Sequence, residues 1–323
     1  MKIYSKNEWD QLKSVIVGVP DCASIPPMDK SLRVVNYADK TDVSSIISGP
    51  YPKQVIDESN EDLEKFVSFL KSLGISVHRP KRNPVNYYNY CPRDSVFVYG
   101  DHALATPMSL TSRKDEFLNF VEHMGNNFTV APNYHGDDMF NEKCIGNADA
   151  LALTEVAPKF DAANVIRAND DLLYLVSNSG NKSGAKYLQE FVGSKAKVHT
   201  LENVYSYMHI DSTIAFLREG LLLANPSRIK SKDVLPGPFK NWDIIWAPEP
   251  VDIGHYPGYC NSSKWINVNL FSINPNLVVL EENQHNLRKL LEEKGIECAM
   301  MPLRHSRTLG GCFHCVTLDI LRE

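Results

Sequence analysis

One cysteine, one histidine and several aspartates stand out because each sits in a short polar stretch inside apolar sequence. Cys315 ends the run Gly310-Gly311-Cys312-Phe313-His314-Cys315, and His209 and Asp211 lie in Met208-His209-Ile210-Asp211. Asp161 follows Phe160 and precedes Ala162-Ala163-Asn164, and Asp94 follows Cys91-Pro92-Arg93. A thiolate that attacks, an imidazole that shuttles the proton and a carboxylate that holds the imidazole are the parts of a thiol nucleophile. A free thiol has a pKa of about 8.5, so Cys315 needs a neighbouring cation to ionise near neutrality. A bound guanidinium or a protonated His209 would supply one. Gly310 and Gly311 would let the backbone turn sharply beside a ligand.

Each residue has a plainer reading. A cysteine after an aromatic residue is commonly a buried structural thiol, and a single aspartate is commonly a cap or turn residue. Cys312 and Cys315 also form a C-x-x-C. A zinc site needs about four ligands, and no second C-x-x-C or H-x-x-x-H accompanies this one. The motif opens a strand-like run, 316–321, rather than a helix, which disfavours a thioredoxin-like redox pair. The spacing of His209 and Asp211 puts both on one face of an extended segment. Several carboxylates around one thiol suit a guanidino substrate, because a guanidinium is planar and offers five donors to bidentate carboxylates.

The composition sets the frame for this chemistry. The 323 residues are 43% hydrophobic and 23% charged, ordinary for a globular protein that can bury a sizeable core. The net charge of −5 and pI near 6.1 give no electrostatic reason to expect nucleic acid or an anionic membrane as partner. No apolar run approaches the roughly 20 residues of a membrane span, and residues 1–8 offer no signal-peptide core. Seven scattered cysteines, an odd number, fit reduced thiols better than a disulfide framework. A cytoplasmic location is expected, with small-molecule substrates; the oligomeric state stays open, a homo-oligomer included.

Five short apolar runs read as strands: 14–18, 95–99, 172–176, 220–224 and 276–280. The Leu-rich run 220–224 could equally be a piece of buried helix. After Asn60, read as an N-cap, Leu63, Phe66, Val67, Leu70 and Leu73 share one helical face. Leu287, Leu290 and Leu291 repeat that pattern near the other end. Both helices stop at a glycine, Gly74 and Gly295, and a strand follows. The unit is strand pair, helix, glycine stop, strand. About five such units of roughly 65 residues fit the chain, the fourth poorly marked, and a repeat of this kind predicts a closed ring of modules. An open doubly wound sheet would need single strands alternating with helices. Residues 42–51 read as a long surface loop, and no linker divides residues 1–323, which are expected to form a single catalytic domain.

Six motifs, in order, resemble the amidinotransferase branch of the guanidino-group-modifying enzymes. They are Cys91-Pro92-Arg93-Asp94, Phe160-Asp161-Ala162-Ala163-Asn164-Val165-Ile166-Arg167, Met208-His209-Ile210-Asp211, Asn225-Pro226-Ser227-Arg228, Ser262-Ser263-Lys264-Trp265 and Leu309-Gly310-Gly311-Cys312-Phe313-His314-Cys315. The resemblance implies an α/β fold, the five-bladed propeller of ββαβ modules. It implies that Cys315 attacks the guanidino carbon of arginine, that His209 moves the protons and that Asp161 orients His209. Asp94 and Asp211 would grip the guanidinium, while Arg228 and Ser263 would hold the polar end of the substrate, Arg228 facing its carboxylate. An acceptor amine would take the amidino group and ornithine would leave. The resemblance implies no metal and no organic cofactor. A hydrolase, with water as acceptor, and a binding module that keeps the fold are the alternatives. Two positions depart from the resembled pattern: Cys312, where Gly or Ala is usual, and Asn164, where Asp is frequent.

Overall fold

A computed structural model describes residues 2–80, 87–204 and 207–323. Among these, five three-stranded sheets share one pattern: an antiparallel pair, with a third strand parallel to its middle member. In the first sheet Leu12–Val17 pairs antiparallel with the last strand, Thr317–Arg322, and parallel with Ser76–His78. The two ends of the chain therefore close one sheet. The others follow in sequence. They are Val96–Tyr99, His102–Ala105 and Phe128–Val130, then Val165–Ala168, Asp171–Leu175 and Lys197–Leu201. Next come Ile214–Arg218, Leu221–Ala224 and Asp243–Trp246. The fifth sheet holds Phe271–Asn274, Leu277–Glu281 and Glu297–Met301. The fold is α/β, and the five expected strand runs all fall on strands, the Leu-rich run included.

The crossover before the parallel strand is an α-helix in three sheets: Lys53–Ser72, Lys182–Val192 and His285–Glu292. In the second and fourth sheets short 3-10 turns, such as Glu116–Asn119 and Gly237–Asn241, do the same job. The helix expected in every unit is thus absent from two of the five, the poorly marked fourth among them. The helix Lys53–Ser72 corrects one expectation, because it starts seven residues before Asn60. Asn60 lies inside the helix, and its amide donates to Asp21 Oδ1 at 3.0 Å instead of capping. Val55, Leu63, Phe66, Val67 and Leu70 form the buried stripe. The helix ends where Gly74 takes φ +77°, a conformation that costs a residue with a Cβ about 1 kcal/mol or more. In 42–51 the structure keeps the exposed loop but pairs Gly49–Pro50 with Ser24–Ile25 and buries Tyr51.

Buried ion pairs tie the inner strand ends together. Asp319 of the last strand meets Arg93 at 2.6 Å, Arg167 at 2.7 Å and Arg322 at 2.6 Å, while Arg167 Nε also donates to Glu8 at 2.8 Å. All five side chains are buried. Losing one partner from such a set strands the others, at about 3–5 kcal/mol. The network joins the N-terminal segment to the first and third sheets and to the turn Pro92–Asp94.

Candidate active site

Cys315 sits on the turn that leads into the last strand. The Val316 N–H donates to the Cys312 carbonyl at 2.9 Å, and the Thr317 hydroxyl donates to the carbonyls of Phe313 and His314, each at 2.9 Å. Phe313 packs edge-on against Phe66 of the long helix, with centroids 5.0 Å apart, a contact worth about 0.5–1.5 kcal/mol beyond its area. Asn269 fixes the turn from the other side: its Oδ1 accepts from the backbone N–H of His314 at 2.9 Å and of Cys315 at 3.2 Å, and its Nδ2 donates to Sγ at 3.3 Å. Gly311 is required here by space, since a Cβ would lie 2.5 Å from Cys91 Sγ and 3.0 Å from Cys315 Cβ. The thiol is held well above its usual range by a hydrogen bond with Cys91, by burial and by the charge of Asp211.

His209 and Asp211 do not lie in an extended segment as the spacing suggested. His209 caps a 3-10 turn, Ile210–Ser212, that contains Asp211, and Ile210 between them is buried in the core. Both side chains still reach the same cavity. His209 Nε2 lies 2.9 Å from Asp161 Oδ2, and Nδ1 lies 3.7 Å from Asp94 Oδ1. Burial works against the imidazolium, but the charge of Asp94 and the bond to Asp161 raise the pKa to about 9. Asp161 is fully buried behind His209, and its other oxygen accepts from the N–H of Ser109 at 2.8 Å and its hydroxyl at 3.0 Å. Burial opposes the carboxylate, yet His209, Arg113 and Ser109 hold its pKa below the usual value. Asp211 Oδ2 stands 3.1 Å from Cys315 Sγ and 3.1 Å from His314 Nδ1.

Asp94 is hydrogen-bonded on one side only, with the His209 ring 3.7 Å from its other oxygen. Arg113 donates to Oδ2 at 2.8 Å, whereas the buried Oδ1 has no hydrogen-bond partner among the described residues. A buried carboxylate oxygen left open costs about 1–3 kcal/mol unless a ligand fills it. Arg113 is itself gripped by both oxygens of Glu116 at 2.6 Å, and burial pushes Glu116 up to about 7 against that attraction.

Cys315, His209, Asp94, Asp211, Arg228 and Ser263 thus line one cavity of about 420 Å³, with Asp161 behind His209. Arg228 Nη1 donates to the Ser212 carbonyl at 3.0 Å, to the Ser212 hydroxyl at 2.8 Å and to Thr213 Oγ1 at 2.8 Å. Ser263 precedes the short turn Lys264–Val268. Cys312 does not line the cavity; it is buried in the core. Asn164 lies away from it too, donating to the Leu175 carbonyl and Ser177 and accepting from Ser179. The basic stretch 304–307 is neutralised: Arg304 pairs with Glu61 and Asp62, His305 with Glu58 and Arg307 with Asp252.

Sequence reasoning missed Arg113, Glu116, Ser109 and Asn269. None has a motif around it, and each reaches the site only through tertiary packing. Cys91 and His314 were in the quoted motifs but had no role attached.

No family model matches the chain. It is 39% identical over 336 residues to inosamine-phosphate amidinotransferase 1 of Streptomyces glaucescens, covering 98% of this chain and 95% of that one. It is 32% identical to the L-arginine:L-lysine amidinotransferase of Pseudomonas savastanoi pv. phaseolicola, with 99% and 94% covered. The solved structure of an inosamine-phosphate amidinotransferase from Streptomyces griseus matches with a TM-score of 0.94 at 39% identity, over 99% of this chain and 97% of that one. These likenesses place this α/β chain among the enzymes that transfer amidino groups. The chain belongs to the amidinotransferase family.

Proposed function

We propose that the enzyme transfers the amidino group of L-arginine to an acceptor amine through a covalent amidino-Cys315 intermediate. The observation that carries this reading is the set of carboxylates beside the thiol: Asp211 Oδ2 3.1 Å from Sγ, and Asp94 with one buried oxygen unfilled. A guanidinium placed between them satisfies both carboxylates and supplies the positive charge that ionises Cys315, whose proton leaves to solvent. Cys315 then attacks the guanidino carbon and a C–S bond forms. His209, with Nε2 held by Asp161, presents Nδ1 to protonate the departing nitrogen, and the C–N bond to ornithine breaks. The now neutral His209 takes a proton from the incoming amine, which attacks the amidino carbon and releases the thiolate. Arg228 and Ser263 receive the α-carboxylate end of arginine.

The acceptor belongs to the amines named for the relatives, and an aminocyclitol phosphate heads that set on overall identity. The ion-paired stretch 304–307 gives it no phosphate site. The repeated three-stranded sheets, closed by the two chain ends, support a five-bladed ring of modules with the cavity at its centre. Seven free cysteines support action in a reducing compartment such as the cytoplasm.

Mass spectrometry of products from arginine, with and without a panel of amines, tests the proposal. Ornithine together with a new amidino compound that needs one particular amine supports it. Citrulline or ammonia formed equally well without any amine would move the enzyme to the hydrolases, with the same residues acting on water.

A further inference from the structure

The peptide group between Met108 and Ser109 is held at both of its edges. Its N–H donates to Asp161 Oδ1 at 2.8 Å, and its carbonyl accepts from Nζ of Lys159 at 2.9 Å. Lys159 is fully buried, two residues before Asp161. Its remaining N–H groups have acceptors in Asn133 Oδ1 and, at 3.2 Å, His135 Nδ1. Three acceptors around one nitrogen, none of them a carboxylate, is a built position for a single ammonium. Between the two ends, the Phe160 N–H donates to the Pro107 carbonyl at 3.1 Å. Segments 107–109 and 159–161 are therefore fastened at three successive points.

We infer that Lys159 is a positioning residue for the proton-transfer histidine, acting through the Met108–Ser109 peptide and Asp161. Burial lowers the Lys159 pKa to about 7, and in its ammonium form, at or below neutrality, it polarises the peptide through the carbonyl and strengthens its N–H as a donor, since hydrogen bonds in a chain reinforce one another in a low-dielectric interior. The strengthened donor pins Asp161 Oδ1, which fixes Oδ2 against His209 Nε2 at 2.9 Å. Lys159 does not line the cavity, so it touches neither substrate. The inference rests on the proposed role of His209, whose ring is faced by Asp161, Asp94 and Asp211.

The test is Lys159→Met, with Lys159→Gln as a second charge-removing variant should the methionine chain not fold. Folding is checked by circular dichroism and the thermal midpoint, and both variants are also made in an Asp161→Asn background. The expected result is a kcat at least about tenfold lower, a KM for arginine within about twofold, and an alkaline limb of kcat/KM displaced from that of the wild type. In the Asp161→Asn background the same replacement should change kcat by less than about twofold, because the link it acts through is already cut. An equal loss in both backgrounds, or an unmoved pH limb in a folded variant, would overturn the inference. If His209→Asn also leaves turnover intact, the failure belongs to the proposed function and not to Lys159.

Discussion

Asp211 Oδ2 and Cys315 Sγ are 3.1 Å apart, and that pairing favours the protonated thiol. The bond with Cys91, burial and Asp211 all favour the thiol over the thiolate. Asp211→Asn should therefore have opposite effects on two rates. Alkylation of Cys315 by iodoacetamide at neutral pH should speed up about tenfold, about one pKa unit of relief. The kcat/KM for arginine should fall by about a hundredfold, the loss of a charge-assisted contact. Peptide mapping of the alkylated protein reads the first and product assays the second. Both rates falling together would refute the arrangement.

His209 gives a pH signature in stability. Its folded pKa of about 9 lies above the unfolded value near 6.5, so the stabilisation is complete below about 6.5 and is lost as pH rises through 9. Denaturant unfolding at pH 6 and pH 9.5 should show wild type losing roughly 2–3 kcal/mol more than His209→Gln. Equal losses would mean that the imidazolium is not held by Asp94 and Asp161.

The two thiols of the C-x-x-C should separate cleanly. Cys312→Ala removes a buried sulfur from the core and should cost roughly 1–2 kcal/mol with kcat retained. Gly311→Ala should do the reverse of what its small size suggests, lowering kcat at least about tenfold. Its Cβ would sit 2.5 Å from Cys91 Sγ and 3.0 Å from Cys315 Cβ, and displacement by a fraction of an ångström is felt at a reacting atom. Full activity in Gly311→Ala would contradict this packing.

Arg228 can be isolated from the chemistry with a substrate that lacks the carboxylate. Arg228→Ala should raise KM for arginine about ten- to a hundredfold, the worth of one charge-assisted bond, and leave KM for agmatine within about threefold. Equal effects on both substrates would take the carboxylate role away from Arg228.

The sequence revealed what short-range pattern encodes. Apolar runs marked strands because each lies buried within its sheet, and Gly74 and Gly295 marked helix ends because their positive φ suits glycine. The run 220–224 was ambiguous between helix and strand, and pairing with both neighbours decided it. Asn60 misled because its side chain serves a tertiary contact with Asp21, invisible to a capping rule. In the site, His209 and Asp211 were legible as a pair, but a 3-10 turn rather than an extended segment carries them. Arg113, Glu116 and Asn269 were illegible: the first two sit in the irregular crossover of the sheet that Asp94 leads into, Asn269 stands just before the fifth sheet, and all three have meaning only beside Asp94 and Cys315.

The central claim is the covalent intermediate on Cys315, and intact-protein mass spectrometry after rapid acid quench with arginine, no acceptor added, tests it most directly. The expected spectrum shows a fraction of the chain heavier by one amidino group, mapped to the peptide holding Cys315 and absent in Cys315→Ala and Cys315→Ser. An adduct on Cys312 or Cys91, or ornithine release by the folded Cys315→Ala chain, would contradict the account.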